Sequence, residues 1–454
     1  MHKLIAKYGL AAHLALLAVA PLVLSPLLGD EAVAVVLAWL TLVSAIWLFM
    51  EPSLRTGESL HVARKRVVKS VFCDVLFWCM LAVVVLSGVR AFNTGIGLAY
   101  DAENAKWQLS SAVFSLLPGS VGTAGWLPFA GTVSLLVVLQ GCQHALGRSA
   151  RMAFLLVASI LAGLGVGIDF ALTSIGHEMV KPASDGLSFA LYLLGGTVAL
   201  AAAFERKWRF VMPLFSFAVG GTAAGAFAFS PVFAVAVFAG AEIVVLSYVF
   251  LYAAKTLSKS AEFKLLVVMG ISLALGGLAV AMLLPPELLD VKLNAMKELV
   301  FFSPESKAVR AVLSDIARKS WFSHLWIGTG LDSFPLDFRF SAVAADWALI
   351  RGKVISVPNG WWQLLAERGI VGALAIALPT AGLLFFYVRR LLRAFPMTTL
   401  PHPACLLTPI VLAAVVSVGF FDSSILRIDA LTAAGALLAV AAGSFVRGGG
   451  NDNG

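Results

Sequence analysis

The chain of 454 residues is 60% hydrophobic and only 13% charged, with a mean hydropathy of +0.93. Soluble domains carry about 45–50% apolar and about 25% charged residues, so a soluble enzyme is excluded and an integral membrane protein expected. The net charge of +8 does not point to nucleic acid as a partner, because Lys and Arg form short clusters between apolar blocks, where the preference for cations on the cytoplasmic side accounts for them.

Taken in chain order, apolar blocks fall near 10–28, 32–50, 71–91, 126–146, 152–170, 187–204, 210–229, 232–253, 265–284, 361–388, 404–421 and 429–446. Each approaches the ~20 residues a helix needs to cross a bilayer, and backbone facing lipid must satisfy its own hydrogen bonds. The expected fold is an all-α polytopic membrane protein of about twelve transmembrane helices, with one large periplasmic loop between helices 9 and 10. Helices 1–9 fill 1–284, the loop with its surface helices 285–360, helices 10–12 fill 361–446, and 447–454 form a cytoplasmic tail. Ala18-Val19-Ala20 mimics a signal cleavage site, but Pro21 follows at once and the apolar run continues to Leu28, so the segment reads as a span.

Cations set the orientation. Lys3 and Lys7, the clusters at 55–69, 148–151, 206–209, 255–264 and 389–393, and Arg447 alternate with short loops holding only Arg90, Lys106, Lys181 and Arg427 beside several acids. The richer side is the cytoplasmic one, which puts both termini there. Cys73, Cys79, Cys142 and Cys405 lie in or beside apolar blocks without disulfide or zinc spacing and read as small buried residues. Asp74 and Glu242 fall inside spans, where an acid needs a cavity, a hydrogen-bonding partner or a path to the interface.

The long loop is the richest in chemistry. Residues 305–319 have a helical period, with Val309, Val312, Leu313 and Ile316 on one face and Lys307, Arg310, Ser314 and Arg318 on the other. Such a helix is expected to lie on the membrane surface with its cations toward a polar cleft. Arg310, Arg318, Arg339 and Arg351, with Lys307 and Lys353, suit a lipid diphosphate, because guanidinium forks grip phosphate oxygens bidentately; attraction to anionic headgroups is the plainer alternative for any one of them. No G-x-S-x-G elbow, H-E-x-x-H or Walker loop occurs, and no Cys or His pair has metal-ligand spacing. Trp321, Trp326, Trp347, Trp361 and Trp362 suit the membrane interface.

Two stretches carry a resemblance. An arginine on a helix followed by His324-Leu325-Trp326-Ile327-Gly328-Thr329-Gly330-Leu331-Asp332-Ser333-Phe334, and then Pro358-Asn359-Gly360-Trp361-Trp362-Gln363-Leu364-Leu365-Ala366-Glu367-Arg368-Gly369, with Gly372 beyond, resemble the O-antigen ligase and polysaccharide polymerase family. Together they cover about 50 residues, and the twelve spans with a large periplasmic loop agree with that family's topology. The resemblance implies a glycosyltransferase of the bacterial inner membrane that uses no nucleotide sugar, metal or cofactor. It would act at the periplasmic face on an undecaprenyl-diphosphate-linked glycan, passing it to a glycan or lipid acceptor among membrane lipids.

In that reading Arg310 neutralises the leaving diphosphate. His324 and Asp332 are candidate bases, Arg318, Arg339, Arg351, Asn359, Gln363 and Glu367 line the substrate, and Gly328 and Gly330 make a tight turn. Asn359, Gln363 and Glu367 are expected to share a helix face. Two positions depart from the family pattern: Pro358 stands where a histidine is expected before Asn359, and Ser230 is followed by Pro231 where an arginine is expected. His177, beside Glu178, is a further base candidate. With the ligase-type histidine absent, polymerase stands slightly ahead of ligase. The competing class is a secondary transporter or lipid-linked-glycan flippase, favoured by twelve spans and Glu242; the two similar halves such proteins carry are not evident in the sequence.

Overall fold

The computed structural model of the protein describes residues 2–28, 30–56, 78, 98–101, 106–109, 126–174, 187–203, 213, 220, 259–282, 290, 294, 304–330, 334, 337–338, 357–394, 404, 407–420 and 426–446. These residues are helical apart from turns and one short ladder. The helices are α1 (His2–Leu28), α2 (Asp30–Thr56), α3 (Trp126–Gln140), α4 (Arg148–Ser174), α5 (Leu187–Ala203), α6 (Lys259–Ala281), α7 (Pro304–Ser323), α8 (Gly360–Ala394), α9 (Leu407–Gly419) and α10 (Ile428–Val446). Strands β1 (Leu98–Asp101) and β2 (Lys106–Leu109) pair antiparallel, with Leu98 opposite Leu109 and Asp101 opposite Lys106.

Nine of these helices, all but α7, coincide with expected spans. The spans expected at 71–91, 210–229 and 232–253 lie outside the described residues except for isolated helical positions 78, 213 and 220. Among the described residues one stretch, Arg148–Gly165, is by itself long and apolar enough to cross a membrane, and shorter apolar stretches occur in α1, α2, α3, α5, α6, α9 and α10. Helix α1 continues through Pro21 to Leu28.

The main core forms where α1 packs on α2, α4 and α10, and α5 on α4 and α10. Leu10, Leu14, Leu17, Leu37, Phe154, Leu191 and Leu437 are fully buried there. Glycines set the helix approach: a Cβ at Gly195 would lie 2.7 Å from Leu437 Cδ2, and one at Gly435 2.7 Å from Leu135 Cδ1. Small residues at helix contacts let backbones close up, the main packing device where lipid removes the hydrophobic drive. Tyr192 donates to Ala18 O at 2.6 Å and Ser188 to Asp429 Oδ2 at 2.9 Å, so these two buried hydroxyls are paired across helices.

Helix α3 runs into a π-turn, Gly141–Ala145, that leaves carbonyls without helical donors. Arg151 supplies them: its Nε donates to Cys142 O at 2.9 Å and its Nη2 to Gln143 O at 3.4 Å. One cation of the expected cytoplasmic cluster at 148–151 is thus an internal cap, fully buried, while Arg148 stays exposed. Cys142 is a buried free thiol; Cys73, Cys79 and Cys405, like Asp74, Glu242, His177 and Glu178, lie outside the described residues.

Large apolar side chains are also displayed outward in helical stripes: Val35, Trp39, Leu42 and Ile46 on α2, Ile160, Leu164 and Ile168 on α4, and Ile271, Leu275, Leu278 and Met282 on and after α6. A second, smaller core lies at α7. Leu313, Ile316 and Ala317 pack with Phe334, Phe338, Val357 and Ala366, and Val309, Val312 and Trp362 border them. The loop helix therefore turns its apolar face onto its own loop and onto α8.

Candidate functional site

Helix α7 ends at Ser323, and the chain turns at once. His324 N donates to Ser320 O and Trp321 O, and His324 O accepts from Gly328 N at 2.8 Å. Gly328 and Gly330 then have φ of 74° and 120°, a region that side chains disfavour. The turn so formed inserts into a break in α8. Gly369 has φ 63° and ψ −171° inside that helix, which removes the two helical bonds that Ile370 N and Val371 N would make to the carbonyls of Ala366 and Glu367.

The turn restores all four groups. Thr329 N and Gly330 N donate to Ala366 O and Glu367 O at 2.8 and 2.9 Å, and Ile370 N and Val371 N donate to Leu325 O and Trp326 O at 3.0 and 3.1 Å. The backbones nearly touch: a Cβ on Gly328 would lie 2.4 Å from Glu367 C, and one on Gly369 2.3 Å from Trp326 O. The glycines of the two motifs are thus each other's reason. The open helix ends, costly where water is scarce, are closed by the partner segment.

Polar side chains brace the junction. Asn359 caps α8, its Oδ1 accepting from Trp361 N at 3.0 Å and Trp362 N at 3.2 Å. One turn on, Gln363 Oε1 accepts from Val357 N at 3.0 Å while its Nε2 donates to Glu367 Oε1 at 2.8 Å. The expected Asn359, Gln363, Glu367 stripe is present, and these bonds tie it to the chain itself. Arg310 Nη1 donates to Pro358 O at 3.0 Å, which joins the loop arginine to the residue where the family pattern has a histidine.

The expected face of cations on α7 divides. Arg310 is partly buried against the α8 entry, whereas Arg318 is exposed and bonds Asp315 on its own helix at 2.6 Å, with Lys319 on the other carboxylate oxygen. The Lys319 ammonium and the Arg318 guanidinium hold the Asp315 carboxyl below its ordinary range. His324 has an exposed side chain. Asp332, Arg339, Arg351 and Lys353 lie outside the described residues.

Two further residues at the junction are absent from the sequence-based candidates. Asp337 accepts from Ser320 Oγ and Thr329 Oγ1, both at 2.8 Å, and so ties the end of α7 to the glycine turn. The helical turn implied by Phe334 and Phe338, four apart, is the signal that locates it. Arg368 is 8% exposed, and its Nε is buried without a hydrogen-bond partner; the rule that singles out Asp74 and Glu242 as charges inside spans applies equally to it.

No protein-family model matches the chain, and no curated protein matches it either.

Proposed function

We propose that the protein is a membrane-embedded glycosyltransferase that works at the periplasmic face of a bacterial inner membrane on a glycan carried by undecaprenyl diphosphate. It adds repeat units to a growing polysaccharide or passes the glycan to a separate acceptor. The observation that carries the reading is the junction: the two segments resembling the O-antigen ligase and polymerase family, with residues 335–357 between them, interlock through four backbone hydrogen bonds and meet again at Arg310 and Pro358. The outward apolar stripes on α2, α4 and α6 favour a lipid surround, since soluble monomers rarely expose such patches.

In the proposed reaction the acceptor oxygen forms a bond to the anomeric carbon as the bond to the diphosphate oxygen breaks. The hydroxyl proton passes to a base, for which His324 and Asp332 are the candidates, and the diphosphate leaves with the electron pair. Arg310, its guanidinium oriented by the Pro358 carbonyl, neutralises charge growing on that leaving group.

The break in α8 also favours a transporter or flippase, since discontinuous helices mark substrate sites in such proteins. There, however, the freed backbone groups face a cavity, whereas here the turn occupies all four. The lipid-linked intermediates of a deletion strain separate the readings. Single repeat units on undecaprenyl diphosphate accumulate if the protein is a polymerase and long chains if it is a ligase; intermediates held in the cytoplasmic leaflet would overturn the proposal in favour of a flippase.

A further inference from the structure

Arg368 sits one residue before the helix break, inside a segment expected to be surrounded by lipid. It is more than nine-tenths buried, and its Nε has no hydrogen-bond partner. Its stem runs beside Gly372: a Cβ there would lie 2.5 Å from Arg368 Cβ and 3.8 Å from its Cδ, so a larger residue would displace the side chain. The charge that acts on it is that of Glu367, whose Oε1 already accepts from Gln363 Nε2 at 2.8 Å.

Seven residues earlier, on the same face of α8, Trp361 Nε1 is also buried without a partner, its ring against Phe420 at the end of α9 with centroids 6.2 Å apart. This stripe therefore holds two buried N–H donors lacking acceptors. The carbonyls freed by the nearby break are not available to them, because Thr329 and Gly330 occupy both. Buried donors without acceptors are costly, and a guanidinium cannot relieve the cost by losing its proton. The ligand that fits a surplus of donors is one that only accepts, and a phosphate fits a guanidinium fork best.

We propose that Arg368 binds the diphosphate headgroup of a prenyl diphosphate at the stripe of α8 that faces the end of α9, with Trp361 Nε1 as a second donor further along the same stripe. The inference rests on the glycosyltransferase reading for the identity of the lipid. A cation in the helix, rather than out in the loop, suits a headgroup that arrives from the bilayer on its own hydrocarbon tail.

The test uses the full chain in lipid nanodiscs, with farnesyl diphosphate as probe and farnesol and inorganic pyrophosphate as comparisons. The wild type is expected to bind farnesyl diphosphate more tightly than either. Arg368→Gln is expected to weaken that binding at least about tenfold at unchanged thermal stability, and Arg368→Lys to recover part of it, because a lysine keeps the charge and loses the fork. Unaltered affinity in folded Arg368→Gln overturns this inference and leaves the glycosyltransferase reading standing. No binding by the wild type overturns both. Pyrophosphate binding as tightly as farnesyl diphosphate assigns the site to a soluble anion and overturns the lipid. Should Arg368→Gln fail to fold, a cryo-EM structure of the wild type with farnesyl diphosphate decides: phosphate density at the Arg368 guanidinium supports the assignment, and density elsewhere overturns it.

Discussion

Gly328 and Gly369 each occupy a backbone conformation with positive φ, and each lies where a Cβ would meet the other segment's main chain. Alanine at either position adds about 1–3 kcal/mol of backbone strain and must also push the turn out of the helix break. Gly328→Ala and Gly369→Ala are therefore expected to cost several kcal/mol or to abolish the folded state. Gly163→Ala, inside α4 with open space around it, is expected to be neutral or up to about 1 kcal/mol stabilising; thermal unfolding in detergent compares the three. Asp315 gives a test by pH. Its carboxyl is held below the ordinary value by Lys319 and Arg318, so its contribution is fully present at neutral pH and is lost as pH falls below about 4. Asp315→Asn should lower the melting temperature slightly at pH 7 and progressively less as the pH falls below about 4, the effect being small because the pair is exposed. At this scale the tight turn at Gly328 and Gly330 was legible, because glycine at a turn has a local signature. Asp337 and Arg368 were not, because what distinguishes them is a partner, or the lack of one, contributed by another segment.

Among the elements, α7 was legible almost to its ends: the period in 305–319 reports the same apolar face that Leu313 and Ile316 bury in Pro304–Ser323. What covers that face was not legible, since periodicity reports a buried side without naming its neighbour; here it is Phe334, Phe338, Val357 and Ala366. Ile316→Asp is expected to detach α7 and expose the loop to protease, because it buries an unpaired carboxylate, whereas Lys307→Asp, on an exposed side chain, should not. Asn359→Ala removes the acceptor for Trp361 N and Trp362 N and should cost about 0.5–2 kcal/mol. The break in α8 escaped the sequence because apolar residues flank Glu367-Arg368-Gly369 on both sides and no proline marks a stop, and only the complementary turn explains why the helix opens there.

For the whole molecule, alternating charge and hydropathy located nine helices that the structure describes, since a run of apolar residues is a local property of the chain. The order in which α1, α4, α5 and α10 pack was not legible, because it depends on which glycines and alanines meet across helices. If the chain crosses the membrane as proposed, cysteines placed at Lys307 and Asp101 should react with an impermeant thiol reagent from the periplasm, while those at Arg148 and Arg389 should react only after the membrane is opened. The most direct test of the central claim is reconstitution of the purified chain in liposomes with undecaprenyl-diphosphate-linked repeat units. Wild type should release undecaprenyl diphosphate and lengthen or transfer the glycan, and Arg310→Ala, at equal reconstitution, should do so roughly 10²-fold or more slowly. Movement of the lipid-linked glycan between leaflets with no glycosidic bond formed, or undiminished transfer by Arg310→Ala, would contradict it.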